Sequence, residues 1–278
     1  MKRFIAISAG SVLALAMAVA LGTRAPTQAP TRHSSVSLVA ATEGVVPGRR
    51  LWVGLHFRMD PGWHIYWVNP GDSGQPPTVK WDLPAGFRAG SLAWPAPKRL
   101  GKGTVVDYGY ENEVVLLAAL QPPAALSPGA RIRLAASVQW LVCREICIAA
   151  KQSVHLDLPV ARRNIADPAT QSLFRRARAQ LPRPTPRDWR VTATDQGNQF
   201  VLSVLTGRSE ASAVFFPRVP DQVDNAKKQA VSPLPRGVRL TLSKSDLLAK
   251  PVEILTGVLD LGNGRVYAIS APVSPARR

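Results

Sequence analysis

The sequence predicts an all-β protein built from two β-sandwich domains joined by a short basic helix and a proline-rich linker. Three observations carry this. Apolar and polar residues alternate with period 2 in short runs, as where Leu51, Val53, Leu55 and Phe57 interleave with Trp52, Gly54, His56 and Arg58. Gly/Pro turn clusters separate the runs, among them Asp60-Pro-Gly62, Asn69-Pro-Gly-Asp-Ser-Gly74, Leu83-Pro-Ala-Gly86 and Ser127-Pro-Gly129. Helical spacing is confined to one stretch near 160–188. Many short strands with such turns and no helices between them are the pattern of a sandwich.

In chain order, Lys2 and Arg3 precede an apolar run from Phe4 to Leu21 that ends in small residues around Ala18-Val-Ala20. This is the form of a secretory signal, so residues 1–20 are expected to direct export, with an uncleaved anchor as the alternative. Residues 21–33, rich in Thr, Pro, Ala and Gln, read as a disordered tether. The first sandwich is expected over 34–160, with further strands at 63–68, 78–82, 113–120, 130–142 and 152–158.

The segment 161–187 is the helix and linker. Asp167-Pro168 has the form of an N-cap followed by proline at the first helical position. Leu173, Ala177 and Leu181 then share a face, with Arg175, Arg176 and Arg178 around it as a solvated charge run. Pro182-Arg-Pro-Thr-Pro186 should be a stiff connector. In the second sandwich, 188–278, Phe200, Leu202 and Val204 alternate, as do Val238, Leu240 and Leu242. Gly262-Asn-Gly264 between two apolar runs signals a hairpin. This half holds no Cys or His and no catalytic cluster.

The formal charge is +17. Nucleic acid is one reading of this excess, but the export signal argues against it, so the charge is read as solubility plus attraction to an anionic membrane surface or an acidic partner.

The two cysteines, Cys143 and Cys147, lie inside Trp140-Leu-Val-Cys-Arg-Glu-Ile-Cys-Ile148. Lone cysteines in an oxidising space normally pair with each other. Straight strand would separate their Cα atoms by about 13 Å, whereas a disulfide needs about 7 Å or less. The segment must therefore be a helical turn or the tip of a hairpin with a three-residue loop. A loop of about five residues stabilises by only roughly 2 kcal/mol when closed, so the bond makes a weak brace and suits thiol–disulfide exchange better. Structural bracing and metal ligation remain as rival readings. Met1 and Met17 lie in the signal, leaving Met59 as the one mature methionine. His33, His56 and His155 form no set with the cysteines, so no metal or other cofactor is expected.

Four motifs, in order, carry a family resemblance: Gly62-Trp-His-Ile-Tyr-Trp-Val-Asn-Pro-Gly-Asp-Ser-Gly74, Trp94-Pro-Ala-Pro-Lys-Arg99, Asp107-Tyr-Gly-Tyr-Glu111 and Trp140-Leu-Val-Cys-Arg-Glu-Ile-Cys147. Together they resemble the N-terminal periplasmic region of the thiol:disulfide interchange reductase DsbD, and more closely that of the suppressor-of-copper-sensitivity protein ScsB. Residues 187–278 are similar, more loosely, to the second sandwich of the ScsB-like branch.

The resemblance implies a periplasmic protein whose domains are immunoglobulin-like, with a cysteine pair that cycles between dithiol and disulfide, as in a protein-disulfide reductase. It implies electrons arriving from a separate membrane thiol-electron transporter, because no membrane or thioredoxin-like domain is legible here. They would leave to periplasmic thioredoxin-fold proteins such as disulfide isomerases or cytochrome-maturation factors. It makes Cys143 and Cys147 the redox residues, with Cys147 as the exposed one. It also implies a cap over Trp94–Leu100 with Leu100 as shield, and His64 and Tyr66 beside the cysteines. Trp140, Arg144 and Glu145 complete the expected surroundings, Arg144 lowering a neighbouring thiol pKa and Glu145 raising it. A copper-binding module using the same cysteines and a non-redox adaptor are the alternatives of other classes.

Overall fold

The computed structural model describes residues 32–101 and 103–276. The expected signal over 1–20 and nearly all of the tether lie outside the described residues. The tether's last residue, His33, lies within them. It stacks on Trp63 with ring centroids 4.0 Å apart, and its Nδ1 is 3.0 Å from Asp60 Oδ2.

The first domain comprises β1 (Ser34–Ala40), β2 (Leu51–Met59), β3 (His64–Gly71), β4 (Thr78–Asp82), β5 (Arg88–Ala89), β6 (Lys98–Leu100), β7 (Asp107–Glu111), β8 (Glu113–Gln121), β9 (Arg131–Cys143) and β10 (Cys147–Pro159). One sheet runs β1-β2-β8-β5. The other runs β10-β9-β3-β7-β6, with β4 also pairing β9. Alternate residues of both sheets meet in one core that includes Phe57, Ile65, Trp67, Leu116, Leu134, Val138 and Trp140. This is the immunoglobulin-like sandwich, and the period-2 runs are its inner faces.

The one α-helix among the described residues, α1 (Pro168–Ala179), starts where expected. Asp167 caps it by accepting from Ala169 N–H, and Pro168 follows at the first helical position. Its buried face is centred differently from the sequence reading. Phe174 and Ala177 are the fully covered residues, packed on Val115 and Leu117 of β8, while Leu173 and Leu181 are partly covered. The helix packs on β8 together with Val39 and Trp52, and Phe174 is its one large fully covered side chain. Of the basic residues, Arg178 places its guanidinium over the rings of Trp52 at 5.9 Å and Phe174 at 5.8 Å.

The second domain comprises β11 (Arg183–Pro184), β12 (Arg190–Asp195), β13 (Gln199–Leu205), β14 (Val214–Pro217), β15 (Ala230–Leu234), β16 (Gly237–Ser243), β17 (Ile254–Asp260) and β18 (Val266–Pro275). Its strands form a continuous path, β14-β17-β18-β12-β13-β16-β15. The two layers are joined because the long β18 leaves β17 and continues beside β12. Phe215, Leu255 and Leu259 from one half enclose, with Phe200, Leu202 and Leu240 from the other, a separate core. The expected stiff linker is zipped onto this domain: Arg183 and Pro184 pair in parallel with Tyr267 and Ala268 of β18.

Glu210 is 3% exposed. Its carboxylate accepts from both terminal nitrogens of Arg265, at 2.9 and 2.6 Å. Those bonds from Arg265 hold its pKa at about 2, against an ordinary 4.5, with burial working the other way. A depressed carboxylate pKa stabilises the fold above the ordinary value, and that stability is lost as pH falls through the folded pKa. Glu210→Gln should therefore cost about 3 kcal/mol at pH 7. The gap from the parent in urea midpoint should close between pH 4.5 and about 2.

Phe216 and Val258 of the second domain join the first domain's core cluster. Phe216 meets Tyr108 edge to face at 5.3 Å. The two domains are thus packed together through buried side chains.

Candidate active site at a hairpin tip

β9 and β10 pair in continuous register from Arg131 opposite Pro159 up to Cys143 opposite Cys147. The turn between them is Arg144-Glu145-Ile146, closed by Arg144 N–H donating to the Ile146 carbonyl at 3.1 Å. Of the two conformations that the cysteine spacing allowed, the chain adopts the hairpin. The cysteines form a disulfide with Cα atoms 4.1 Å apart.

Along β9, Ile132, Leu134, Ala136, Val138, Trp140 and Val142 face the core. Cys143 comes one residue later and so projects from the opposite face. It is 2% exposed, whereas Cys147 at the start of β10 is exposed. Cys143 is also registered against His64 of β3. On this face, Tyr66 follows His64 along β3, and across β7 lie Glu111 opposite His64 and Gly109 opposite Tyr66. On β6, Lys98 lies opposite Gly109 and Leu100 opposite Asp107. A single sheet face thus brings together the disulfide, His64, Tyr66, Asp107, Glu111 and Leu100.

The phenol of Tyr66 is 3.5 Å from Cys147 Sγ. Burial raises the Tyr66 pKa, with a Ser73 hydrogen bond opposing it, so the phenol stays protonated and can donate to a sulfur. His64 lies edge to face with Tyr66, centroids 5.2 Å apart. Its Nε2 has no hydrogen-bond partner and lies 3.9 Å from Asp107 Oδ2. Burial lowers the His64 pKa, while Asp107 and Glu111 pull the other way. The imidazole is therefore neutral at neutral pH.

The turn after β3 folds over Tyr66. Asp72 N–H donates to the Val106 carbonyl at 2.9 Å, and Val106 N–H donates to Asp72 Oδ2 at 2.7 Å. Ser73 donates to Asp107 Oδ1 from its N–H at 3.1 Å and from its hydroxyl at 2.9 Å. Gly74, at φ +74°, lies against the phenol ring, which fills the space a β-carbon at this residue would occupy.

Of the other expected surroundings, Trp140 and the first part of the cap stand elsewhere, while Leu100, Arg144 and Glu145 lie at the cysteines. Trp140 lies on the core face, edge to face with Phe57 at 5.4 Å and donating to Ser34 Oγ at 3.0 Å. It is three residues from Cys143, an odd number, and strand parity alone puts it on the other face. The stretch expected as a cap divides: Trp94–Ala96 runs toward the helix, with Ala96 N–H donating to the Gln180 carbonyl, and only Lys98–Leu100 reaches the cysteine face. There Leu100 Cδ1 covers Gly109, 3.2 Å from where that residue's β-carbon would stand. Arg144 and Glu145 are exposed at the tip, with Arg144 Nε 3.7 Å from the equivalent position at Gly62. Ser73, Gly74 and Asp107 were not singled out from sequence. Their signal was present in the motifs Gly71-Asp-Ser-Gly74 and Asp107-Tyr-Gly, where turn residues and an aspartate flank alternating aromatics.

Among the described residues, no group of three or more His, Cys, Asp or Glu could hold a metal ion. Met59 is 7% exposed, inside the core. None of the helices among the described residues is long and apolar enough to cross a membrane.

A covered cysteine paired with an exposed one, with a protonated phenol against the exposed sulfur, defines a thiol–disulfide exchange domain. Residues 35–159 match the family described as thiol:disulfide interchange protein DsbD, N-terminal. Among solved structures, the chain is similar to the N-terminal periplasmic domain of ScsB from Proteus mirabilis. That likeness has 18% identity and a TM-score of 0.66, and covers 88% of this chain and 94% of that one. A protein of unknown function from Porphyromonas gingivalis W83 also aligns, at 10% identity over 87% of this chain and 99% of that one. Its TM-score of 0.24 carries no argument. A comparison with curated proteins finds no match.

Proposed function

We propose that this protein relays electron pairs in the periplasm through the Cys143–Cys147 couple. A separate membrane thiol-electron transporter would supply them, and periplasmic thioredoxin-fold proteins would receive them. The observation that carries this reading is the asymmetry of the pair: Cys147 is exposed at the tip while Cys143 is 2% exposed. The N-terminal sequence, with its basic start and apolar run, supports export, and the match of residues 35–159 to an interchange family supports the class of partner.

For reduction, a donor thiolate attacks Cys147 Sγ. A bond forms from donor sulfur to Cys147, the Cys143–Cys147 bond breaks, and Cys143 leaves as a thiolate that takes up a proton. The donor's second thiolate then attacks the donor sulfur of this mixed disulfide. Cys147 leaves as a thiolate, receiving the Tyr66 hydrogen bond, and is protonated in turn. The donor ends as a disulfide and this protein as a dithiol: two electrons and two protons have moved. The reverse sequence reduces an acceptor. His64 stands beside Cys143 and is neutral, so it can take the proton of that thiol, giving an imidazolium–thiolate pair with no change in net charge, and return it.

The test is a redox titration against glutathione. The couple should have a potential above about −300 mV, outside the range of stable structural bonds. A lower value would make the bond a brace and end the relay reading.

A further inference from the structure

The second domain holds no cysteine or histidine, yet it reaches the loop that covers Tyr66. Asn225 lies between β14 and β15 and is 8% exposed. Its Nδ2 donates to Asp72 Oδ1 at 2.8 Å, and its Oδ1 accepts from the Tyr108 hydroxyl at 3.0 Å. Two further ties lie alongside. Asn69 Nδ2 donates to the Pro217 carbonyl at 2.8 Å, and Arg99 donates to the Ala226 carbonyl at 3.3 Å. Asp72 is followed by Ser73, which holds Asp107, and by Gly74, which lies on the Tyr66 ring. Tyr66 in turn touches Cys147 Sγ. An unbroken set of contacts therefore runs from a buried amide of the second domain to the exposed sulfur of the first.

We propose that the second domain acts on the redox couple: Asn225 is a positioning residue that fixes the Asp72–Gly74 loop, and through it the Tyr66 hydroxyl against Cys147. This rests on the exchange reading above. It gives the second sandwich a task within the chemistry, beyond presenting a surface to partners. The physical logic is that of a supporting shell. A hydrogen bond to a thiolate stabilises it only while its donor is held in place, and Tyr66 is held by a turn whose outer tie belongs to the neighbouring domain.

The arrangement allows a swap test. In Asn225→Asp the new carboxylate still accepts from Tyr108 but confronts the Asp72 carboxylate, so the loop loses its tie. In the double variant Asp72→Asn with Asn225→Asp, the amide at 72 donates to the carboxylate at 225 and still accepts from Val106 N–H. The full chain is reduced, and the rate of Cys147 alkylation by iodoacetamide is followed against pH. This reads the thiolate directly and needs no protein partner. Asn225→Asp should slow alkylation at pH 7 by about tenfold, its profile moving about one unit upward. The double variant should return to within about twofold of the parent. A parental rate in Asn225→Asp, or a double variant as slow as the single, overturns the proposal. Should Asn225→Asp not fold, Asn225→Ala removes the same tie to Asp72 without adding a charge and should slow alkylation by the same factor; a parental rate there overturns it equally. The same parent protein is mixed, oxidised, with a reduced thioredoxin-fold protein. If no exchange occurs there while the alkylation shifts appear, the relay reading fails and the positioning role stands.

Discussion

Replacing Cys143 with alanine should trap the protein in a mixed disulfide with a thioredoxin-fold partner, whereas replacing Cys147 should give at least tenfold less adduct. The difference follows from exposure. Cys147 is open at the hairpin tip, and with Cys143 gone nothing in the chain can resolve a bond formed on it. Cys143 is 2% exposed, enclosed by His64 on one side and by β10 on the other, so a lone thiol there meets no incoming sulfur. Loss of the disulfide itself should leave the fold intact, because closing so short a loop contributes only about 2 kcal/mol. Non-reducing electrophoresis and mass measurement of the mixture decide the matter. Equal adducts from both variants would mean that burial does not set the order of attack. No adduct from Cys143→Ala would remove the relay.

Much of this site can be read from local pattern. The four-residue step from Cys143 to Cys147 is too short for extended chain, and the hairpin is one of the two conformations left. Alternation along 130–142 was equally legible, and carried one step further it assigns Trp140 to the core and Cys143 to the outer face. The site expectation grouped these two by nearness in sequence, and nearness misleads in a strand, where neighbours point apart. Asp167-Pro168 announced the helix start because capping is a local interaction. Phe174 did not announce itself as the anchor, since the covered stripe of a short helix depends on the surface it meets. The Asn225–Asp72 contact spans 153 residues, and no periodicity or turn chemistry reports a pairing at that range. The same holds for β18, whose passage from one layer to the next is set by its partners rather than by its own residues. Local chemistry thus reveals the reacting atoms, while the groups that hold them still come from the assembled fold.

At Gly74 a single methyl group should damage both the fold and the chemistry. The residue sits at φ +74°, and its missing β-carbon is replaced in space by the Tyr66 ring. Alanine there meets two costs: about 1 kcal/mol for the left-handed backbone, and about 2 kcal/mol for forcing methyl and ring apart in a packed site. Neither side yields easily. Tyr66 is 1% exposed, and the loop is pinned by Asp72 to Val106 and by Ser73 to Asp107. The sum is about 3 kcal/mol in a urea titration. Gly197→Ala is the matched comparison, since Gly197 has φ +72° with no atom within 4 Å of its β-carbon position; it should cost only the backbone part. The chemistry separates the two further. Displacing the ring withdraws the phenol from Cys147, so reduced Gly74→Ala should alkylate about tenfold more slowly at pH 7, while Gly197→Ala keeps the parental rate. If the two variants lose equal stability and alkylate alike, the glycine serves only the turn, and Tyr66 does not support the thiolate.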